Sequence, residues 1–281
     1  MRTVCAYCGN TNALTKEHLW PAALHTRMQK IWESPGHNLF WLSRLDRDIP
    51  SEPTIKDVCS NCNNVILSKL DTYICDLFDK YFFRNINKGE KVCFKYDYDL
   101  LVRWLLKLSY NSCRINDGID HFVFQPLLPY ILGYNQKYAE SVCVFLELSY
   151  PARIPVEDSS ENLSAGTLVW PDVNRSGHLI FRCRFGKKIF RAVHLCGFTF
   201  TLAFFEPSAH VAIRAITTAE YLHARPKAVL LRPERQKVYV KCGGINAYES
   251  LKNSRSFTFY KHDLQGIDCS LHREKPLQEA A

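Results

Sequence analysis

Two pairs of closely spaced cysteines constrain this chain more than any other feature. Cys5 and Cys8 form a C-x-x-C pair near the N-terminus, and Cys59 and Cys62 form a second pair farther along. Each pair can present two thiolates to one tetrahedral ion, and four such ligands complete the coordination shell of Zn²⁺. A redox-active dithiol is the competing interpretation, but both pairs resemble zinc knuckles. We therefore predict a closed, structural zinc site that stabilises the N-terminal region.

Composition places the chain among globular proteins. It has 281 residues, of which 47% are hydrophobic and 23% are charged, which is enough for a sizeable core and about two domains. We find no signal-peptide pattern at the N-terminus and no apolar run of transmembrane length. Without an export signal, the twelve cysteines are expected to be reduced thiols or metal ligands. These features predict a cytoplasmic protein that does not contact membranes.

Hydrophobic periodicity predicts two helices in the first part of the chain. Apolar residues recur at helical spacing from Val65 to Phe83, so a helix should begin at or just after the second cysteine pair. A second amphipathic helix is predicted over residues 97–114, with Asp97 or Asp99 at its start. On the polar side of this helix, Lys107, Asn111 and Arg114 lie on or near one face. That face could bind phosphate, but we expect it to be solvated.

Strands are predicted in the remainder of the chain. Segments between residues 140 and 243 are rich in Val, Phe, Ile and Tyr and are separated by Gly, Pro and Asn, and RFGKKIF reads as a hairpin turn. The predicted fold class is α+β. An N-terminal zinc-stapled module over residues 1–90 would precede a β-rich mixed α/β domain over residues 91–281, with a role in recognition or regulation.

Positive charge is concentrated outside the cysteine-rich region. The net charge is +8, and two dense clusters at residues 181–191 and 223–241 carry much of it. Such clusters attract polyanions without reading sequence. A solvated basic face on a pair of strands explains them equally well, so charge alone leaves both interpretations open.

A third motif lies between the cysteine pairs, in the stretch TKEHLWP. The order C-x-x-C, then Glu-His-x-x-Pro, then C-x-x-C-Asn opening a helix resembles the HNH (ββα-metal) endonuclease family, in the branch stapled by a four-cysteine zinc site. The resemblance is confined to the N-terminal part of the chain. The residues that carry it are Cys5, Cys8, Glu17, His18, Pro21, Cys59, Cys62 and Asn63.

This resemblance implies a set of catalytic residues. His18 would be the general base that takes a proton from the water attacking a phosphodiester. Glu17 and Asn63 would supply oxygen ligands to one catalytic cation, Mg²⁺ or Mn²⁺, separate from the zinc. Strand alternation points Glu17 and His18 to opposite sides, so a local irregularity is expected if both serve one site.

The chain also departs from the family pattern. The residue before the base is often Asp or His in the family and is Glu17 here, and Asn63 stands where His is common. The middle asparagine of the motif is replaced by Thr54. Asp57 or Asn38 could take over its orienting role.

The resemblance implies a metal-dependent endonuclease that hydrolyses phosphodiester bonds in nucleic acid, with DNA favoured as the substrate. A nuclease module joined to a β-rich domain resembles restriction and phage-defence effectors. Cutting both strands of a duplex would favour a homodimer. The alternative is a non-catalytic zinc module that binds nucleic acid or a partner protein. That module would need the cysteines but not Glu17, His18 and Asn63, whose presence favours the enzyme. A protein partner or small-ligand activator for residues 91–281 stays unidentified.

Overall fold

The computed structural model describes residues 4–32, 40–118, 120–135, 140–159, 164–171, 174–206 and 208–252. It is a mixed α+β structure, as the sequence predicts, with 38% of its residues helical and 31% in strands. Within these ranges, no helix combines the length and apolar character needed to cross a lipid bilayer.

The N-terminal part is built on a two-stranded antiparallel ribbon. Strands β1 (Leu14–His18) and β4 (Thr54–Cys59) pair with a register shift between Thr15 and Lys16. We call this pair the β1–β4 ribbon. The chain between its strands forms three short elements, namely α1 (Ala22–Trp32), β2 (Phe40–Leu42) and β3 (Arg47–Ile49).

A long helix follows the ribbon directly. It opens with π-helical turns over Asn61–Leu67, continues as α2 (Ser68–Leu77) and ends with further π-helical turns over Phe78–Phe82. Its buried residues include Leu70 and Ile74, two members of the apolar stripe from which the sequence predicts a helix. The prediction of a helix after the second cysteine pair is therefore confirmed.

Helix α3 (Tyr98–Ile115) is the central element of the molecule. The Asp97 side chain accepts a hydrogen bond from the Leu100 N–H and caps the helix, as predicted. The helix packs against α2 on one side and against two strands of the large sheet on another. Two short helices follow it, α4 (His121–Phe124) and α5 (Leu128–Ile131).

The C-terminal part contains a six-stranded sheet in the order β12-β6-β11-β10-β9, with β14 also pairing with β6. The β-rich stretch from Lys187 to Glu206 forms parts of two strands, because Cys196 (φ 50°) and Gly197 form a tight turn within it. The strands are β6 (Val142–Tyr150), β9 (Asn174–Cys183), β10 (Gly186–Leu195), β11 (Phe198–Phe204), β12 (Val229–Leu231) and β14 (Ile245–Asn246).

Both faces of this sheet are covered. Phe198, Phe200 and Leu202 of β11 pack into the main core, which also includes residues of α2 and α3. On the other face lies α6 (Val211–Ala224), a helix that the sequence did not predict. Three further short elements adjoin the sheet, namely β7 (Ala152–Arg153), β8 (Leu168–Val169) and α7 (Ala247–Lys252).

A second two-stranded ribbon joins early and late parts of the chain. Strand β5 (Lys91–Lys95) pairs antiparallel with β13 (Lys237–Lys241). One hydrophobic cluster extends from Cys5 to Cys242 and thus includes residues from both predicted domains. The division into residues 1–90 and 91–281 stays a prediction.

Candidate functional site

The four predicted zinc ligands lie together. The four sulfur atoms of Cys5, Cys8, Cys59 and Cys62 all lie within 4.8 Å of one another. Cys8 is half-buried and the other three are buried. Four sulfur donors at these separations fit a tetrahedral ion, so the cluster could hold a metal such as zinc. A metal here would tie the N-terminal loop to the end of β4 and to the start of the long helix.

Local hydrogen bonds favour a thiolate in this cluster. Burial, the largest single influence, raises the pKa of the Cys5 thiol, but backbone hydrogen bonds outweigh it and lower the pKa to about 7. One of these bonds is donated by the Cys59 N–H to Cys5 Sγ over 3.3 Å. Burial raises the pKa of Cys8 and Cys62. Because a metal binds thiolates, its binding would release protons from these residues.

His18 is the last residue of β1, and its imidazole is held by a carboxylate. Its Nδ1 lies 2.8 Å from Glu52 Oε2, and the other oxygen of Glu52 accepts a hydrogen bond from the Trp20 N–H. The Glu52 side chain is 11% exposed and that of His18 is 44% exposed. A neutral His18 that donates from Nδ1 to Glu52 keeps Nε2 as a proton acceptor.

Sequence reasoning missed Glu52. It lies in the loop before β4, and its contact with His18 depends on the pairing of β1 with β4, in which His18 is opposite Thr54. An acidic residue just before the strand that pairs with the histidine is the signal that could have found it. Burial raises the pKa of the Glu52 carboxyl, and the nearby His18 partly offsets this effect.

Asp57 is one of the two residues expected to take over the orienting role of the middle asparagine. Asp57 is buried and forms an ion pair with Arg114, an arrangement that differs from the predicted orienting role. Asn38 lies outside the described residues. Thr54 lies opposite His18 at the end of the ribbon. The carboxylate that contacts the imidazole is that of Glu52.

Glu17 is buried beneath the ribbon, whereas His18 beside it is exposed on the outer face. The register shift of the ribbon lies between Thr15 and Lys16, so the irregularity expected to bring Glu17 and His18 to one side does not occur between them. Glu17 Oε1 accepts a hydrogen bond from Asn111 Nδ2 over 3.0 Å and lies 3.0 Å from Lys107 Nζ. Burial lowers the pKa of Lys107, but the carboxylates of Asp71 and Glu17 outweigh burial and raise it. Because both contacts fall on Oε1, a cation would have to bind Glu17 through Oε2.

Asn63 lies in the first turn of the long helix and contacts β1 at its irregularity. Its Nδ2 donates to Thr15 Oγ1 and to the Lys16 carbonyl, each over 2.9 Å. Asn63 Oδ1 is therefore the atom that a cation would use. Glu17, His18 and Asn63 all lie on or against β1, and their joint role at a catalytic cation stays a prediction.

The polar face of α3 differs from the expectation of a solvated surface. Lys107, Asn111 and Arg114 are 3%, 0% and 4% exposed. They are buried because the carboxylates of Glu17 and Asp57 on the ribbon lie against them and supply their partners. The face is neither solvated nor free to bind phosphate, and it fixes the ribbon to the rest of the molecule.

The outer face of the ribbon carries positive charge beside His18. Lys16 and Lys56 lie directly opposite each other, and His18 and Thr54 form the next outward-facing pair. All four residues are exposed. Like charges directly opposite each other on a ribbon are destabilising. An anion bound at this face would relieve the repulsion.

Comparisons of the chain with protein-family models, with curated proteins and with solved structures found no match. The resemblance to the HNH family therefore stays a prediction, and it rests on residues between Cys5 and Asn63.

Proposed function

We propose that the chain is a metal-dependent endonuclease of the HNH type and that the β1–β4 ribbon carries its active site. The observation that supports this most strongly is the exposed imidazole of His18 with its Nδ1 bound to the largely buried Glu52. A carboxylate in this position fixes the ring and its tautomer, as a general base requires.

In the proposed reaction, His18 Nε2 accepts a proton from a water molecule as the oxygen attacks the phosphorus of a phosphodiester. The imidazolium that forms is stabilised by the Glu52 carboxylate at Nδ1. Glu17 Oε2 and Asn63 Oδ1 would hold a hard divalent cation, which would stabilise negative charge on the phosphate and on the leaving oxygen. Because Glu17 is buried on the face opposite His18, a site shared by both residues requires β1 to rearrange when the cation binds. Lys107 and Asn111 hold the Glu17 carboxylate in place.

The lysines on the outer face suit a polyanionic substrate. Lys16 and Lys56 lie on the face that exposes His18, so they would contact phosphates next to the one being cut. Phosphate contacts of this kind position the substrate but do not read its sequence. We favour DNA as the substrate, and the cleavage assays described below also include RNA.

One observation favours the second candidate, a zinc module that binds nucleic acid without cutting it. The Glu17 carboxylate already has a buried ammonium group and an amide as partners. If these partners prevent Glu17 from binding a cation, Asn63 alone would be too weak a site. The lysines and the zinc cluster would then serve binding.

Cleavage assays separate the two candidates. Purified protein would be incubated with supercoiled plasmid, single-stranded DNA and RNA, with Mg²⁺, with Mn²⁺ and without added divalent cation. We expect cutting that needs the added cation and that is lost in His18→Ala protein with an unchanged zinc content. His178→Ala is the matched control, because His178 is exposed on β9, away from the ribbon.

The opposite results would contradict the nuclease. If no substrate is cut, or if His18→Ala protein cuts as well as the unchanged protein, the binding module becomes the better account. Affinity for nucleic acid that is retained in such a protein, and that falls when Lys16 and Lys56 are changed to Gln, would then support the second candidate.

A further inference from the structure

The β5–β13 ribbon carries a second lysine-rich surface, which the proposed nuclease does not use. In its register Lys91 lies opposite Lys241, Lys95 lies opposite Lys237, and Tyr239 lies between these two pairs. All four lysines are exposed, and Tyr239 is 54% exposed. We call these five residues the Tyr239 platform.

The platform is firmly supported from below. Strand alternation places Val92, Phe94 and Val240 on the opposite face, where all three are buried in the main core. Phe94 also stacks on Tyr96, with ring centroids 5.7 Å apart. The five platform residues therefore share one outward face of a ribbon that is held in place by the core.

The positive charge of the platform is unbalanced. Among the described residues, none of its four lysines forms an ion pair, because the nearby carboxylates of Glu90 and Glu234 pair with arginines. Two directly opposed lysine pairs on one small ribbon repel each other and lower its stability. A bound polyanion would remove this repulsion.

The exposed ring of Tyr239 indicates which kind of polyanion the platform would bind. Lys91 Nζ lies over one face of the Tyr239 ring, 4.9 Å from its centroid, so a base would stack on the other face. Lys91 and Lys95 are four residues apart on one strand, or about 13 Å, with the ring between the two lysine pairs. Exposed aromatic rings flanked by cations bind single-stranded nucleic acid, because bases stack on the ring while the cations contact phosphates.

We propose that the Tyr239 platform binds single-stranded DNA, with one base stacked on Tyr239 and the backbone running past the two lysine pairs. Duplex DNA fits less well, because its bases stack on each other and do not offer their faces. Apart from its lysines, the platform presents no side chain that would read base edges, so the binding tolerates any sequence. The proposal needs neither His18 nor a catalytic cation.

Binding without cleavage tests it. Fluorescence anisotropy of a labelled oligothymidylate would be measured with full-length His18→Ala protein and no added divalent cation, across a range of salt concentrations. A duplex of the same length serves as the second probe. We expect the single strand to bind more tightly than the duplex.

Two changes in the platform should weaken the single-strand complex in different ways. Tyr239→Ala should lower the affinity about 5- to 150-fold, whereas Tyr239→Phe, which keeps the ring, should leave it nearly unchanged. The double change Lys95→Gln and Lys237→Gln should make the plot of log affinity against log salt concentration less steep, with the magnitude of its slope smaller by about 1.4.

Matched controls make the result specific. Tyr134 is 65% exposed, so Tyr134→Ala removes an equally accessible ring elsewhere. Lys187 and Lys227 are exposed lysines outside the platform, so changing both to Gln removes the same charge. Neither control should alter the affinity by as much as its platform counterpart.

Three outcomes would overturn the proposal. One is equal binding of duplex and single strand, and another is an unchanged affinity in the Tyr239→Ala protein. The third is a fall in affinity that is as large when the control lysines Lys187 and Lys227 are changed as when Lys95 and Lys237 are changed. A platform whose lysines matter while its ring does not would be an electrostatic surface suited to an acidic protein. Failure of the nuclease proposal would appear in cleavage assays and not in these measurements.

Discussion

The β1–β4 ribbon and the six-stranded sheet are stabilised by different forces. On β11 the side chains that enter the core are apolar, as at Phe198 and Phe200. On the β1–β4 ribbon, two of the buried side chains are the carboxylates of Glu17 and Asp57. A two-stranded ribbon is marginally stable by itself. The ribbon therefore depends on the cysteine cluster and on cations from α3, whereas the core side of β11 depends on apolar packing.

This difference has a functional meaning under the proposed mechanism. Buried carboxylates stabilise a fold less well than apolar side chains of similar size. Under the proposal, the second oxygen of Glu17 would bind a cation, and the contacts with Lys107 and Asn111 make burial of this carboxylate tolerable.

The largest effect should follow removal of a zinc ligand. Cys59→Ser should abolish tight metal binding, whose apparent free energy at structural sites is about 10–16 kcal/mol. The ribbon should then lose its hydrogen-exchange protection while the sheet keeps much of its own. Zinc content and exchange at β1 and β11 are the measurements. Equal loss of protection in both regions would show that they do not differ in this way.

The next largest effect should follow removal of the cation beneath the ribbon. Lys107→Met leaves the buried carboxylate of Glu17 and the half-buried carboxylate of Asp71 without their counter-charge, which should lower the free energy of unfolding by about 3–5 kcal/mol. Denaturant unfolding measures this loss. Lys69→Met, at an exposed position on α2, should change stability by less than about 0.5 kcal/mol. A loss at Lys107 no greater than at Lys69 would refute the argument.

A change at Glu52 should affect rate more than stability. In Glu52→Gln protein the side-chain amide can donate to His18 Nδ1, which moves the imidazole proton to Nε2 and blocks proton acceptance. The kcat for cleavage should fall by about 10²-fold or more, with KM nearly unchanged. Zinc content and unfolding should match those of the unchanged protein. A normal kcat would remove Glu52 from the mechanism.

A buried histidine of the sheet should give a smaller effect that depends on pH. Burial, with help from the cations of Arg175 and Arg225, holds the pKa of His194 well below its usual value. The unfolded chain therefore binds this proton more readily than the folded one. Stability should be complete above about pH 6.5 and fall at lower pH by up to about 1.4 kcal/mol per pH unit. The free energy of unfolding of His194→Gln protein should change less with pH over this range. A pH dependence identical to that of the unchanged protein would contradict the role given to His194.

The smallest effect should be a gain in stability at the outer face. Lys16→Gln removes the repulsion from Lys56, so the free energy of unfolding should rise by about 0.2–1 kcal/mol. The same change should raise KM for a nucleic-acid substrate, because one phosphate contact is lost. A change that lowers stability, or that leaves KM unaltered, would argue against the proposed role of this face.

The elements that sequence predicted well are those specified by local pattern. The cysteine spacing indicated the four cysteines that lie together and could hold a metal, and apolar periodicity together with Asp97 indicated the two long helices. Tertiary contacts explain what was missed. The polar side of α3 looks like a solvated face until the distant carboxylates of Glu17 and Asp57 are placed against it. Glu52 acquires its contact with His18 only when β1 pairs with β4.

Chemical rescue of the base tests the central claim most directly. His18→Ala protein with a full complement of zinc would be assayed for Mg²⁺-dependent cutting of plasmid with and without added imidazole. We predict that the variant is inactive alone and that imidazole restores part of the cutting, because the free base takes the place of the missing side chain. The His18→Ala, Glu52→Gln double variant should respond less, since the carboxylate that holds Nδ1 is gone. Full activity of His18→Ala protein without imidazole would contradict the account.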